Sequence, residues 1–496
     1  MKRILTVLLF SLFALFLVSC NGERDNRTKI TYAAWNLGPE SLNNLERRMI
    51  KAYEEYNPDV KVEIVERQKI VDEDGVERES DWDSFLNAQA AIKEMPDVFQ
   101  IDNVVKAILN DWATDVSEIA NSDEEFNKIP LDIREAAAYN NKLFALPQAM
   151  FYFGYFINRT LISQNVTSND DIPTYGVSYE KLLEIASKSS KAAVQGGDGI
   201  IGIDGMNELS YWLAAQYDDS LGWYTYNEDG YHLDSDAFKL AINEQKKYFT
   251  EPASYASYVL ESANARFLIT EDESQNPQTM YGDGVLFTTG HQAIKWEGSY
   301  NLRNWLAATE DPESEMPGLF QADIDFIGTP SVTVDGKTNH RVPVVLDYIA
   351  IGKGTKHLEE AYDFAKWMSF GIDGYKKRLE IAREHPKSGA INFAPIVQDE
   401  DLLTEYFELY PTLVEFKKLV TSHTDYIVES LAKTVPGYVE SRWTGKYDET
   451  TTVAVVLDNI RDGKTNYDDV AVNLNNLINQ IYQDAKEQLE DALNSD

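Results

Sequence analysis

A single cysteine, Cys20, serves the whole chain of 496 residues. One thiol excludes an internal disulfide and a thiolate metal cluster, so the folded part must be held by core burial. Histidine is scarce too: His232, His291, His340, His357, His385 and His423 are scattered, and none falls into His-Glu-x-x-His. The chain has no Gly-x-Ser-x-Gly elbow and no Walker sequence, and Gly196-Gly197-Asp198-Gly199 lacks the Lys-Ser/Thr that a phosphate cradle requires. Asp72-Glu73-Asp74-Gly75 begins like a calcium loop but has Val76 and Glu77 where a ligand oxygen and a glycine are needed. That stretch and Asp218-Asp219 read as solvated acidic turns, and no metal or cofactor is expected. Positive charge is the largest deficit. Lys+Arg number 45 against 82 Asp+Glu, for a net charge of −37. Such a surface has no basic footprint for a phosphate backbone, so nucleic acid is excluded as a partner. With so many carboxylates, a pair at glycosidase spacing arises by chance and carries no information.

One long apolar run is present, and it lies at the start. Met1-Lys2-Arg3 is basic, Ile4 to Val18 is apolar apart from Thr6 and Ser11, and the run closes on Leu17-Val18-Ser19-Cys20. This is the anatomy of an export signal, shorter than the roughly 20 residues of a membrane-crossing helix. Its end resembles the lipobox of bacterial lipoproteins. That resemblance implies that 1–19 is removed, that Cys20 carries the lipid anchor, and that 20–29 is a flexible tether. Two acyl chains suffice for stable anchoring.

Folded sequence is expected from Ile30. Ile30 to Trp35 reads as a strand, Glu40 to Tyr56 as a helix with Leu42, Leu45, Met49, Ile50, Tyr53 and Tyr56 on one face, and Val60, Val62 and Ile64 alternate as a second strand. The resulting β-α-β unit predicts parallel pairing. A helix over 81–93, a strand over 97–102, a short strand ending at Pro147 and an aromatic strand from Tyr152 to Ile157 follow. Helices are expected over 207–216, 237–249 and 356–370, a hairpin at Asn227-Glu228-Asp229-Gly230, and a strand over 342–351. The tail from Tyr467 carries Leu474, Leu477, Ile478, Ile481, Ala485, Leu489 and Leu493 at helical spacing, which predicts a helix docked on the core. Trp82, Trp112, Trp305 and Trp367 fall within helical apolar patterns and are expected in the core.

Several segments, in this order, carry a family resemblance: the strand ending in Trp35, Glu55-Tyr56-Asn57-Pro58-Asp59-Val60, Pro96-Asp97-Val98, Asn141 to Pro147, and Tyr155-Phe156-Ile157-Asn158-Arg159. The most specific is Thr289 to Tyr300, with Gly290, Ala293 and Gly298 at the family's positions, Ile294 for its Met and Tyr300 for its Trp. Together they resemble extracellular solute-binding proteins of family 1, in the sugar-binding branch that contains maltose-binding protein. The resemblance implies an α/β, two-lobed periplasmic-binding-protein-like fold, each lobe a mainly parallel sheet flanked by helices. Lobe 1 would comprise 30–148 and about 346–393, and lobe 2 would comprise 149–320 and about 394–496. Hinge crossings would lie near 148–150, 320–345 and 390–396. It further implies a monomeric, non-enzymatic receptor on the extracellular face of a bacterial membrane, which captures a carbohydrate and delivers it to the membrane subunits of an ABC importer.

A sugar presents apolar C–H faces and a rim of hydroxyls, so stacking rings beside carboxylates or amides are the chemistry to look for. Trp35 and Asn36 follow the first strand, and Asp102 follows the third, all at carboxyl ends where such clefts form. Tyr300 stands where the family has its stacking Trp, with Trp296 four residues before it. By the same resemblance Glu208 and Trp212 lie on a cleft-facing helix, Asp347 at a lobe crossover, and Trp443 in a C-terminal loop near ligand. A peptide or polyamine receptor, favoured by the acidic balance, and a secreted glycan-acting enzyme are the alternative readings.

Overall fold

Alternating apolar residues begin the sheet. In the computed structural model, strand β1 (Thr28–Ala33) buries Ile30 and Tyr32, and pairs in parallel with β2 (Val60–Ile64) at Ile30↔Val62. Between them helix α1 (Leu45–Tyr56) starts later than the apolar pattern suggests. Glu40–Leu42 forms a single 3-10 turn, Asn43 takes a left-handed φ of 42°, and Asn44 caps α1 by accepting the Arg47 N–H. A capping asparagine outcompetes continuation of the helix through it. The structure describes residues 25–494 except 36, 39, 68, 72–76, 167, 195, 228, 387–390, 424 and 429–445.

The further principal elements are α2 (Trp82–Ala91), β3 (Val98–Ile101), β4 (Leu146–Asn158), β5 (Ile201–Ile203), α3 (Asp236–Thr250), β6 (Gln292–Gly298), β7 (Ile324–Gly328), β8 (Val342–Ile351), α4 (Leu358–Met368), α5 (Val414–Ser422), β9 (Tyr426–Val428) and α6 (Tyr467–Asn494). Among the described residues the strands form a nine-stranded sheet ordered β2-β1-β3-β8-β4-β6-β5, with β7 also on β4 and β9 on β8. Pairing is parallel in β2-β1-β3, in β6-β5 and in β8-β9, and antiparallel where β8 and β4 join the two ends. Strand β4 is the seam. Its first half, Leu146 to Tyr152, pairs with β8, and its second half, Phe153 to Asn158, pairs with β6 and β7.

Helices cover the sheet through aromatic contacts. Phe364 of α4 lies edge-on to Tyr32 at 5.1 Å and to Tyr53 at 5.0 Å, and Phe156 of β4 packs on Trp305 at 4.4 Å and Phe326 at 4.8 Å. Each such ring contributes about 1.5–3 kcal/mol by leaving water, which is how a chain without disulfides holds together. Trp112, Trp305 and Trp367 are buried as expected, whereas Trp82 is half-buried at the margin of β3. The C-terminal helix α6 docks as its spacing predicts, with Leu474, Ile478, Leu489 and Leu493 buried. It also makes backbone contacts that spacing does not announce. Asn475 Oδ1 accepts the Leu233 N–H at 2.8 Å, and Asn479 both accepts from Tyr231 N at 2.9 Å and donates to Tyr231 O at 2.8 Å. This clamps the hairpin Tyr226–Asn227/Gly230–Tyr231. Gly230 has a φ of 129°, which favours glycine, and a Cβ there would stand 2.5 Å from Asn479 Oδ1 and push the clamping side chain aside.

His423, which is buried, clusters with the half-buried His340 and Tyr175. His423 Nε2 donates to Asp425 O at 2.7 Å, which leaves its Nδ1 to accept from Tyr175 OH at 2.8 Å, and the two imidazoles are 4.9 Å apart. Burial, with the neighbouring His423 adding to it, pushes His340 down to about 4, and burial lowers His423 as well. The unfolded chain takes up a proton near pH 6.5 that the folded one refuses, so stability is present above that pH and is lost as pH falls toward 4. Up to about 3 kcal/mol is at stake for His340. In urea titrations His340→Gln is expected to flatten the pH 6.5–4 limb of the stability profile relative to the parent; an unchanged limb would assign it to carboxylates.

Candidate functional site

Strands β5 and β6 run parallel and end side by side, and their carboxyl ends open on a cavity of about 370 Å³. Strand β5 is followed at once by Asp204 and Gly205. Gly205 has a φ of 94°, and a Cβ on it would stand 2.5 Å from Trp296 Cβ, so the backbone passes against the Trp296 ring where no other residue could. Asp204 is buried and ties the two strands together. It accepts the Trp296 N–H at 2.8 Å and the Lys295 ammonium at 2.8 Å. Burial works against the charge on Lys295, but the Asp204 carboxylate outweighs it and raises the ammonium's pKa.

Rings make the apolar wall. Trp296 lies between Tyr155, edge-on at 5.1 Å, and Trp212, stacked at 5.6 Å with 13° between planes. Trp223 and Tyr224 stack at 5.3 Å with 23° between planes, and Tyr211 and Phe153 lean on them at 5.1 and 5.6 Å. Tyr224 and Thr225 both adopt left-handed backbone, with φ of 54° and 62°. Non-glycine residues hold that region only when their surroundings impose it, and such positions concentrate at functional sites. Here the surroundings are Gly222 N donating to Tyr226 O at 2.6 Å, His232 N donating to Thr225 O at 2.9 Å, and the hairpin clamped by α6. Trp223 Nε1 donates to Val344 O at 3.2 Å, and Val345 of β8 completes the wall.

Carboxylates make the polar rim: Glu208, Glu261 and Glu297 line the cavity with Asp204. Glu261 accepts the N–H groups of Gly205 and Met206 at 2.7 and 2.8 Å. Burial, then the charge of Asp204, push its carboxyl up to about 7. Glu297 accepts the Tyr300 hydroxyl at 2.6 Å. Flat rings beside convergent hydrogen-bond acceptors form a surface for a small polyhydroxylated or cationic molecule. Among the described residues no group of three or more His, Cys, Asp or Glu could hold a metal ion, and no helix is long and apolar enough to cross a membrane.

Of the residues singled out from sequence, Glu208 and Trp296 meet in this cavity. Tyr300, 40% exposed, stands at its edge through Glu297, with its ring edge-on to Phe151 at 5.9 Å. Trp212 is fully buried behind Trp296 and does not reach the cavity wall. Trp35 and Asp102 lie on the other part of the sheet, past the carboxyl ends of β1 and β3. There Trp35 is half-buried and meets Trp82 edge-on at 5.7 Å, and Asp102 is exposed. Asp347 is half-buried on β8, opposite Ala149 of the seam strand. Asn36, Trp443 and Cys20 lie outside the described residues. Sequence reading missed Phe153, Asp204, Tyr211, Trp223, Tyr224, Glu261, Lys295 and Glu297. The signal for Asp204 was present, since an acid directly after a strand is what picked out Asp102.

No curated protein matches the chain in sequence. In structure it is similar to an ABC substrate-binding protein from Listeria monocytogenes in complex with cycloalternan, with 16% identity and a TM-score of 0.59 over 92% of this chain and 98% of that one. It is also similar to a sugar transporter from Rhizobium etli in an open conformation, with 15% identity and a TM-score of 0.62 over 91% and 99%. A third similar structure is the cyclic alpha-maltosyl-1,6-maltose binding protein from Arthrobacter globiformis, with 13% identity and a TM-score of 0.57 over 92% and 100%. At these identities the likeness establishes the fold: α/β and two-lobed, of the periplasmic-binding-protein kind. Family membership rests on sequence instead. The family model for bacterial extracellular solute-binding protein matches residues 40–369, from the turn before α1 through the end of α4 and across both strands that bound the cavity. Over that span, well beyond half its length, the chain belongs to the bacterial extracellular solute-binding proteins.

Proposed function

We propose that this chain is the carbohydrate-capturing receptor of an ABC importer, that it binds its ligand without converting it, and that a lipid on Cys20 holds it at the extracellular face of the membrane. The observation that carries the reading is the wall formed by Trp223, Tyr224 and Trp296 beside Glu208 and Glu297, at the carboxyl ends of β5 and β6. Rings stack on sugar faces, and carboxylates accept from hydroxyls. The three similar structures are a substrate-binding protein in complex with cycloalternan, a sugar transporter and a cyclic alpha-maltosyl-1,6-maltose binding protein, which supports a carbohydrate ligand here. In this reading the lobes divide as the resemblance implies, about 30–148 with 346–393 and 149–320 with 394–496. Trp35, Asp102 and Asp347 would close on the ligand from the opposite side. Ligand touching both lobes favours the closed form, and the importer's membrane subunits read that form. A cavity of about 370 Å³ has room for one or two sugar rings.

A thermal-shift screen over mono- and oligosaccharides, amino acids and polyamines tests this. A rise of several degrees is expected with at least one carbohydrate, which is recovered unchanged after prolonged incubation. No shift with any carbohydrate, or conversion of the ligand, would overturn the reading. In the producing cell, Cys20→Ser is expected to move the protein from the membrane fraction to the medium with its ligand affinity intact.

A further inference from the structure

The Tyr300 ring is folded back over the backbone at the end of β6. A Cβ on Gly298 would stand 2.2 Å from Tyr300 Cε1 and 3.0 Å from its Cζ, so the close approach depends on glycine two residues before the ring. Phe151 and Phe153 flank the ring edge-on at 5.9 and 6.1 Å. In that position the phenol donates to Glu297 Oε1 at 2.6 Å, and the Gly298 N–H donates to the same oxygen at 3.0 Å. Two donors on one carboxylate oxygen restrain the direction of the whole group. Burial, then the carboxylate itself, raise the pKa of the phenol, so its proton stays in that bond.

The second oxygen is left for other work. No described residue donates to Glu297 Oε2, and unlike Oε2 of Glu261 it is not sealed from solvent. Glu297 is half-buried and lines the cavity, whereas Tyr300 does not line it. A carboxylate already held in one direction accepts from hydroxyls without first losing the rotamer freedom of a long side chain. Tyrosine also brings to this position a hydroxyl that the family's Trp lacks.

Resting on the carbohydrate reading above, we propose that Tyr300 is a positioning residue and not a stacking platform: its hydroxyl holds Glu297 so that Oε2 accepts from the hydroxyls of the sugar. Glu297 is then the acceptor that selects hydroxyl donors on this side of the cavity, and the stacking falls to the rings of the wall itself.

The test is isothermal titration calorimetry of the full chain at pH 7. The probes are glucose, galactose, xylose, maltose, maltotetraose, cellotetraose and xylotetraose, and the comparison uses the one the parent binds most tightly. Tyr300→Phe keeps the ring and removes the hydroxyl. It is expected to weaken binding about tenfold, as loss of a hydrogen bond to a charged group does, with Tyr300→Ala within about threefold of it. In a Glu297→Ala background, Tyr300→Phe is expected to change affinity by less than about twofold, because the two side chains act as one unit. Tyr300 is 40% exposed, so the variants are expected to melt close to the parent. Parent-like binding by Tyr300→Phe overturns the proposal, and a loss confined to Tyr300→Ala would make the ring a stacking platform after all. An equal loss from Tyr300→Phe with and without Glu297 overturns it too. Each of these leaves the carbohydrate receptor standing, whereas no binding of any probe by the parent overturns both.

Discussion

Asp325→Ala is expected to lower the free energy of unfolding by about 4 kcal/mol, the range seen when one partner of a buried ion pair is removed. Asp325 is fully buried on β7, in register with Ile157 of the seam strand β4. Its Oδ1 accepts the N–H of Phe326 at 2.8 Å and of Phe416 at 3.2 Å. Its Oδ2 accepts the N–H of Glu415 at 2.7 Å and is paired with the Arg159 guanidinium. Glu415 and Phe416 open helix α5, so the carboxylate also caps a helix at the end where the backbone dipole favours negative charge. Burial raises the carboxyl's pKa while Arg159 and the three N–H groups hold it down, so the ionised form depends on those four partners. Alanine strands all of them at once. Arg159 keeps contacts to Asp323 and to Thr412 O, which limits but does not cancel the loss. Asp325→Asn retains volume and one acceptor and is expected to lose about half as much. Urea midpoints at constant m read both values. A midpoint for the alanine variant within error of the parent would mean that the β7–α5 junction is held by the Phe326–Phe416 ring contact instead.

How far the sequence reaches can be seen by comparing strands. β1, β2 and β3 were legible because apolar residues alternate or run together between turn residues, and the structure ends them within two residues of the expected places. The seam strand β4 was legible only in pieces, a short strand ending at Pro147 and an aromatic one from Tyr152. Pro147 looks like a strand breaker because it has no N–H to give. In the structure it lies where the β8 partner slips register between Asp347 and Tyr348, so β4 runs unbroken through it. That accommodation belongs to another strand some 200 residues away, and no local pattern contains it. The site divides in the same way. Trp296 and Tyr300 were found because a family motif surrounds them, and Glu208 because its helix was recognised. Trp223 and Tyr224 were missed because nothing in Gly222-Trp223-Tyr224-Thr225 announces two left-handed residues. That turn exists because Asn475 and Asn479, on a helix more than 240 residues further on, hold the hairpin beside it. Glu261 carries no local signal either, since what distinguishes it is the approach of Gly205 and Asp204.

Tyr224→Ala is expected to weaken binding of the best oligosaccharide from the thermal-shift screen by about 30-fold, with little change in apo melting temperature. The reasoning separates Tyr224 from its neighbours. Trp223 is buried and donates to Val344 O, so its removal opens a cavity worth about 3–5 kcal/mol and confounds any loss of affinity. Trp296 is packed between Tyr155 and Trp212, and it fails as a test for the same reason. Tyr224 is half-buried and pre-oriented by Trp223, so its ring is less embedded than those of Trp223 and Trp296. Burying such a ring against a sugar face is worth about 2 kcal/mol, which is roughly the 30-fold stated. Its backbone sets the stability side. At a φ of 54°, alanine suffers the same left-handed strain as tyrosine, whereas glycine is relieved of it. Tyr224→Gly is therefore expected to match the alanine variant in lost affinity while melting no lower than it. Equal losses in the two variants, read by calorimetry, assign the effect to the missing ring; full affinity in the glycine variant alone would assign it to the turn. Parent-like affinity in both would remove Tyr224 from the ligand wall and shift the stacking role to Tyr300.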